Sequence, residues 1–163
     1  MKTLYIVRHA KSSWNFPELG DEERPLLEKG KKRTRKIIDF LQKKNVSVDL
    51  IISSHAIRAH ETAKIIAHGI GYPVEDIRLS RQVYHASADS LFDQFFDLRD
   101  DISSLMLVGH NPTFTNFANI FLDRKIDWLP TSGIVSITFD TNIWVNLPLA
   151  KHNVNFIIYP KQL

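Results

Sequence analysis

The chain has no cysteine among its 163 residues. Disulfides, thiolate nucleophiles and cysteine-ligated zinc are therefore excluded. It also has no run of about 18 consecutive apolar residues, the length that a membrane-crossing helix needs. The apolar run near the start, in MKTLYIVRHA, is too short for a secretory signal. We therefore expect a cytoplasmic protein with no membrane partner. Glycine and proline are sparse, at 6 and 7 residues, and they build no linker. No internal repeat or low-complexity tract is present. Strong charge of one sign is missing as well, since the formal net charge is +3. Basic residues do gather in EKGKKRTRK (28–36), which reads as the solvated face of a helix. No zinc-finger spacing or ribonucleoprotein aromatic motif accompanies them, so nucleic acid is not an expected partner.

What remains is an ordinary globular composition, 44% apolar and 24% charged. The length suits one domain, residues 1–163, with one substantial core. Apolar runs read as buried strands at TLYIV (3–7), VDLIIS (48–53), SLMLVG (104–109), GIVSITF (133–139) and FIIY (156–159). IWVNL (143–147) alternates and reads as an edge or hairpin strand. Leu27, Gly30, Thr34, Ile37, Ile38 and Leu41 recur at spacings of three and four, the narrow apolar face of a helix. AIRAHETAKIIAHGI (56–70) reads as a helix ending at Gly69 or Gly71. SADSLFDQFFDLRDD (87–101) reads as an amphipathic helix capped by Ser87 or Asp89. PTFTNFANIFLD (112–123) places Pro112 in a first helical turn. Strands alternating with helices predict an α/β fold, a three-layer α/β/α sandwich with a mostly parallel sheet. The last strands lack intervening helices and are expected to pair antiparallel.

Ligands of such sheets bind beyond the carboxyl ends of the strands. The first strand ends in Arg8-His9. The second runs into SSHAIRAHETA, with Arg58 in a first helical turn. The 104–109 strand ends in His110-Asn111-Pro112. Two arginines in one cleft repel unless they share an anion, and guanidinium forks match phosphate oxygens. The helix after Pro112 adds free backbone N–H groups at its start. The set reads as a phosphate cradle holding an imidazole. His55, His60, His68, His85 and His152 read as structural or surface residues. A zinc site built on the two histidines would need a carboxylate such as Asp21, Glu22 or Glu23, and the adjacent arginines oppose a dication.

These motifs together resemble the histidine phosphatase superfamily, the phosphoglycerate-mutase-like fold. VRHAKSSWN is similar to its Arg-His-Gly signature, with Ala10 at the usual glycine. SSHAIRAHETA is similar to its Ser-Pro-x-x-Arg-Ala-x-x-Thr-Ala segment, with His55 at the usual proline and Glu61 at the usual glutamine. VGHNP is similar to its second-histidine motif, and DEERPLLEKG (21–30) to an Asp-x-x-Arg-Pro-Leu-x-x-x-Gly stretch of short members. The short chain, Ala10 and the Arg-Pro-Leu stretch point to the SixA-type phosphohistidine phosphatases. The resemblance covers roughly residues 3–139 and implies roles for individual residues. His9 is the nucleophile that becomes phosphorylated. Arg8, Arg58 and His110 bind the phosphoryl oxygens, and Asn15 donates one further hydrogen bond. No metal or other cofactor is implied.

The resemblance has a gap. Longer members carry a glutamate general acid where this chain has RLSRQVYHAS (78–87), which contains no carboxylate. Protonating an alkoxide leaving group is then harder, whereas the nitrogen of a phosphoramidate takes a proton from solvent. The expected function is a phosphohydrolase acting on phosphohistidine in a protein. The alternatives are a small-molecule phosphomonoesterase of the same fold and a non-catalytic phosphate-binding module. Asp21 is the candidate proton donor or partner of the second histidine, or else the ion-pair partner of Arg24. His55 is a candidate for the pocket mouth. Short connections leave little material for a lid, and a monomer is expected.

Overall fold

The computed structural model describes residues 1–163. Strand β1 (Lys2–Arg8) is followed by helix α1 (Glu28–Lys43), β2 (Leu50–Ser54) and α2 (Ile57–Ile70). Then come β3 (Arg78–Ser80), α3 (Arg81–Tyr84), α4 (Ala88–Asp93), β4 (Ser104–Gly109) and α5 (Thr113–Phe121). The chain closes with β5 (Ile134–Phe139) and β6 (His152–Ile158). Six strands form one sheet in the order β3-β2-β4-β1-β5-β6. The first four run parallel, while β5 pairs antiparallel with β1, and β6 with β5. No helix is long and apolar enough to cross a membrane.

The sheet is covered on both sides, giving the expected three layers. One face packs Ile37 and Leu41 of α1 and Ala59, Ala63 and Ile66 of α2 onto Val7, Ile51 and Val108. The other packs Leu91, Phe95, Phe114 and Phe117 onto Leu4, Ile6, Ile52 and Leu107. Central strands sandwiched this way lose solvent on both faces, hence their unbroken apolar runs. The apolar spacing of α1 is realised directly: Gly30, Thr34, Ile37, Ile38 and Leu41 are its buried residues. Helix α2 ends at Gly71, which takes the left-handed conformation (φ 78°) that glycine adopts without penalty.

Four segments depart from expectation. IWVNL is a 3₁₀ helix, Trp144–Leu149, not a strand. Its inward residues are Trp144 and Leu147, three apart as the 3₁₀ turn demands, while Ile143 and Val145 are exposed. Trp144 also donates to the carbonyl of Ile102, which fixes it indoors. The 87–101 segment is helical only to Asp93. Beyond that point the amides of Phe95, Phe96 and Leu98 bond to carbonyls three residues back, so the chain tightens into successive turns. Ser87 does cap α4, through a reciprocal pair of bonds with Ser90. Pro112 is the cap of α5 and stands just before its first turn. Strand β3 carried no apolar alternation because it is a largely exposed edge.

Gly30 fixes how α1 meets the loop after β1. A Cβ there would lie 2.4 Å from the backbone oxygen of Lys11. That same oxygen accepts from the amide of Leu27. Replacing Gly30 with alanine must push helix and loop apart. Gly30→Ala is expected to cost about 1–3 kcal/mol in urea denaturation, as overpacking does.

Candidate active site

Strand register builds the site. Arg8 lies opposite Gly109 in the β1–β4 pairing, so the next residues, His9 and His110, emerge side by side. Their rings sit 5.1 Å apart, centroid to centroid. Ser53 is opposite Val108, which brings Ser54 to the same sheet edge. Thr62 ties the next helix to this edge. Its hydroxyl accepts from the Ala10 amide at 2.8 Å and donates to the Arg58 carbonyl at 2.7 Å. The Arg-Ala-x-x-Thr-Ala pattern (58–63) thus has a mechanical reason: its threonine locks the first turn of α2 to the loop after His9.

Arg8, His9, Arg58 and His110 all line one cavity of about 660 Å³. Lys11, Arg24 and Arg33 add positive charge, and Asp21 is the one carboxylate in its wall. Trp14 and Trp128 stand at its rim, 77% and 53% exposed. Trp14 stacks on the Arg24 guanidinium and Trp128 on that of Arg8.

His9 is buried, and its Nδ1 lies 2.7 Å from the Ala10 carbonyl oxygen. A carbonyl only accepts, so Nδ1 carries the proton and the Nε2 lone pair is left free. Burial, aided by the charges of Arg58, Arg8 and Arg24, lowers its pKa to about 3 although the Ala10 bond opposes this. The imidazole is therefore neutral across the physiological range. His110 is likewise lowered to about 3 by burial, then by His9 and Arg58. Its Nε2 lies 2.8 Å from Ser54 Oγ. That oxygen already accepts from the Ala56 amide, so its hydrogen is available to His110 Nε2. The His110 proton then sits on Nδ1. Nδ1 of His110, Nε of Arg8 and Nε of Arg58 are buried without any partner. An unmet buried donor costs about 1–3 kcal/mol, more when charged. Three of them around one cavity fit an anion.

Asp21 organises the arginines. Its carboxylate accepts from Arg24 Nη1 at 3.1 Å, from Arg58 Nη2 at 2.9 Å and from the Tyr84 hydroxyl. Its backbone carbonyl takes Arg58 Nη1 at 2.6 Å. Partial burial works to raise its pKa, but the bonds from Tyr84, Arg58 and Arg24 outweigh it and hold the carboxyl well below its usual range. Asp21 therefore carries no proton to donate, and the ion-pair expectation describes it. Arg24 is the larger surprise. It donates to the Ser13 carbonyl and Ser12 Oγ while pairing with Asp21, and so braces the whole loop after His9. The quoted DEERPLLEKG stretch contained that signal.

Asn15 does not reach the cavity. Ser12 and Ser13 are buried and pinned by Leu26, Pro25 and Arg24, after which the chain turns outward. Asn15 is exposed, its amide bonded to Ser13 Oγ. His55 does not line the cavity either. It packs edge-on against Tyr84, with Nε2 2.9 Å from Glu22 Oε2. Asn111 is a residue whose role was missed. It donates to the Leu129 carbonyl, which also accepts from Arg8, so one loop oxygen orients both. Trp128 and Arg33 had no local sequence signal, since they arrive from distant segments.

A histidine phosphatase superfamily (branch 1) model matches residues 4–80, which hold the β1 end and the Arg58 helix. Over that stretch the chain is similar to the histidine phosphatase superfamily. An uncharacterized protein of Mycobacterium tuberculosis is 29% identical over 140 residues, 78% of this chain and 84% of the relative. The structure is similar to a SixA protein of Agrobacterium tumefaciens (TM-score 0.82, 24% identity, 98% of both chains). It is also similar to the protein histidine phosphatase SixA complexed with tungstate (TM-score 0.81, 18% identity, 98% of both chains). These structural likenesses establish the fold.

Both histidines should remain neutral at pH 5, with His9 as the Nδ1–H tautomer, in nitrogen-detected NMR of the imidazoles. Their folded pKa values lie below the unfolded 6.5, so the unfolded chain binds more protons in that range. Stability to urea is then full above pH 6.5 and falls as the pH drops toward about 3. Asp21, also depressed, adds a loss below its unfolded value of 3.8. Asp21→Asn should remove that last component.

Proposed function

We propose that this chain is a phosphohydrolase that dephosphorylates phosphohistidine in a protein, through a phosphohistidine intermediate on His9. The observation that carries this reading is the state of His9: a buried, neutral imidazole whose Nε2 lone pair is uncommitted, beside Arg8 and Arg58. In the first step Nε2 attacks phosphorus as the P–N bond to the substrate imidazole breaks. The departing nitrogen takes its proton from water. In the second step water attacks phosphorus, the bond to Nε2 breaks, and inorganic phosphate leaves. Arg8, Arg58 and His110 Nδ1–H face the charge that gathers on the equatorial oxygens. The cationic charge of the two arginines does the work that a metal does elsewhere, so the reaction as drawn uses none. Ala10, Ser54 and Thr62 hold proton positions and helix placement without touching phosphorus.

The leaving group supports the substrate class. The one carboxylate in the cavity wall is committed to two arginines and a tyrosine. An alkoxide leaving group finds no free carboxylic acid there, whereas a phosphoramidate nitrogen needs only solvent. A solvated rim with two tryptophans also suits a flat imidazole presented on a protein surface.

Incubation with a labelled phosphodonor and an alkaline quench should trap an acid-labile, alkali-stable phosphate that is absent in His9→Ala. Arg8→Ala and Arg58→Ala should each lower kcat by about a hundredfold or more. A phosphohistidine peptide should be turned over far better than 3-phosphoglycerate. Labelling that persists in His9→Ala would refute the nucleophile, and preference for the sugar phosphate would refute the substrate class.

A further inference from the structure

We propose that a basic groove beside the catalytic cavity docks an acidic segment flanking the phosphohistidine of a protein substrate. This rests on the phosphohistidine reading above and specifies what else the substrate carries. The groove has a volume of about 420 Å³ and shares Arg33, Pro130 and Thr131 with the catalytic cavity, so the two are continuous. Its cations are Arg33, Lys36 and Lys161, and no acidic side chain lines it.

Arg33 and Lys36 are three apart on α1 and share a face. Lys161 comes from the 3₁₀ helix Pro160–Gln162. None of the three makes an ion pair or a side-chain hydrogen bond, whereas Lys31 on the same helix pairs with Glu28. Three unpartnered cations along one wall repel each other, and an anionic chain laid between them relieves that repulsion.

The charge distribution points the same way. Together the two cavities hold seven of the chain's 21 basic residues and one of its 18 acidic ones. The chain outside this face is therefore net acidic although the whole is +3. A field so one-sided steers an acidic partner to this edge. All three cations are exposed, and the groove also offers Tyr159, Pro160 and Leu163. Solvated, spread charges beside apolar contacts suit an extended peptide. A small second anion would call for converging, desolvated donors.

The test uses the full chain and two phosphohistidine peptides, one with aspartate and glutamate flanks and one with serine flanks. The wild type should favour the acidic peptide in kcat/KM. The double variant Lys36→Glu, Lys161→Glu should cut that preference by about tenfold, since each rim charge contributes modestly. The milder Lys36→Gln, Lys161→Gln pair should cut it less, and 0.5 M salt should weaken it in the wild type. Equal turnover of both peptides, unmoved by the substitutions, overturns the docking proposal and leaves the substrate class standing. No turnover of either peptide, with sugar phosphates hydrolysed, overturns the substrate class and the docking with it. Inhibition by a DNA oligomer that exceeds inhibition by an unphosphorylated acidic peptide, and that is lost in the double variant, overturns the acidic-segment assignment.

Discussion

Three guanidinium groups crowd a single buried imidazole, and the site depends on how their mutual repulsion is contained. Asp21 does most of the containing. It bridges Arg24 and Arg58 through its two carboxylate oxygens, and its backbone carbonyl takes a further donor of Arg58. Arg8 is held differently, by the Leu129 carbonyl and the face of Trp128. The charges are thereby fixed in place, yet two guanidinium Nε atoms stay unpaired. Burial, reinforced by these like charges, keeps both histidines unprotonated, and the charges favour an incoming anion.

A second consequence concerns the proton supply. In many acid–base sites a carboxyl group is buried among apolar groups, so that it holds a proton near neutrality. Here the carboxyl stands among cations and cannot hold one. Phosphate binding and acid catalysis by this carboxyl are therefore in conflict. A site organised in this way suits a substrate whose leaving group asks little of the enzyme.

The scaffold answers to these demands. The parallel pairing of β1 with β4 places two histidines at one level, and α2 starts its first turn beside them. Thr62 and Gly30 then set how closely the surrounding helices approach the loop after His9. Neither residue touches the cavity, but each fixes a backbone that does. The same compactness carries the basic face of α1 to the cavity's edge, where Arg33 belongs to both openings.

The sequence by itself determined the sheet's core and the four side chains that meet in one cavity. Buried strands announce themselves by unbroken apolar runs, and α1 by its spacing, because burial imposes those periods locally. Arg8, His9, Arg58 and His110 were legible because strand ends in such sheets converge, and the motifs that hold them are contiguous. The 3₁₀ turn at Trp144–Leu149 was not legible, since its apolar alternation fits a strand until Trp144 finds the Ile102 carbonyl. Asn15 showed the same limit: its distance from the cavity follows from how Arg24 grips Ser12 and Ser13. Only the tertiary structure decided that Asp21 is a clamp, that His9 offers Nε2, and that Trp128 and Arg33 meet the same cavity. Those facts depend on contacts between residues far apart in the chain, and pairings over such distances leave no local period to read.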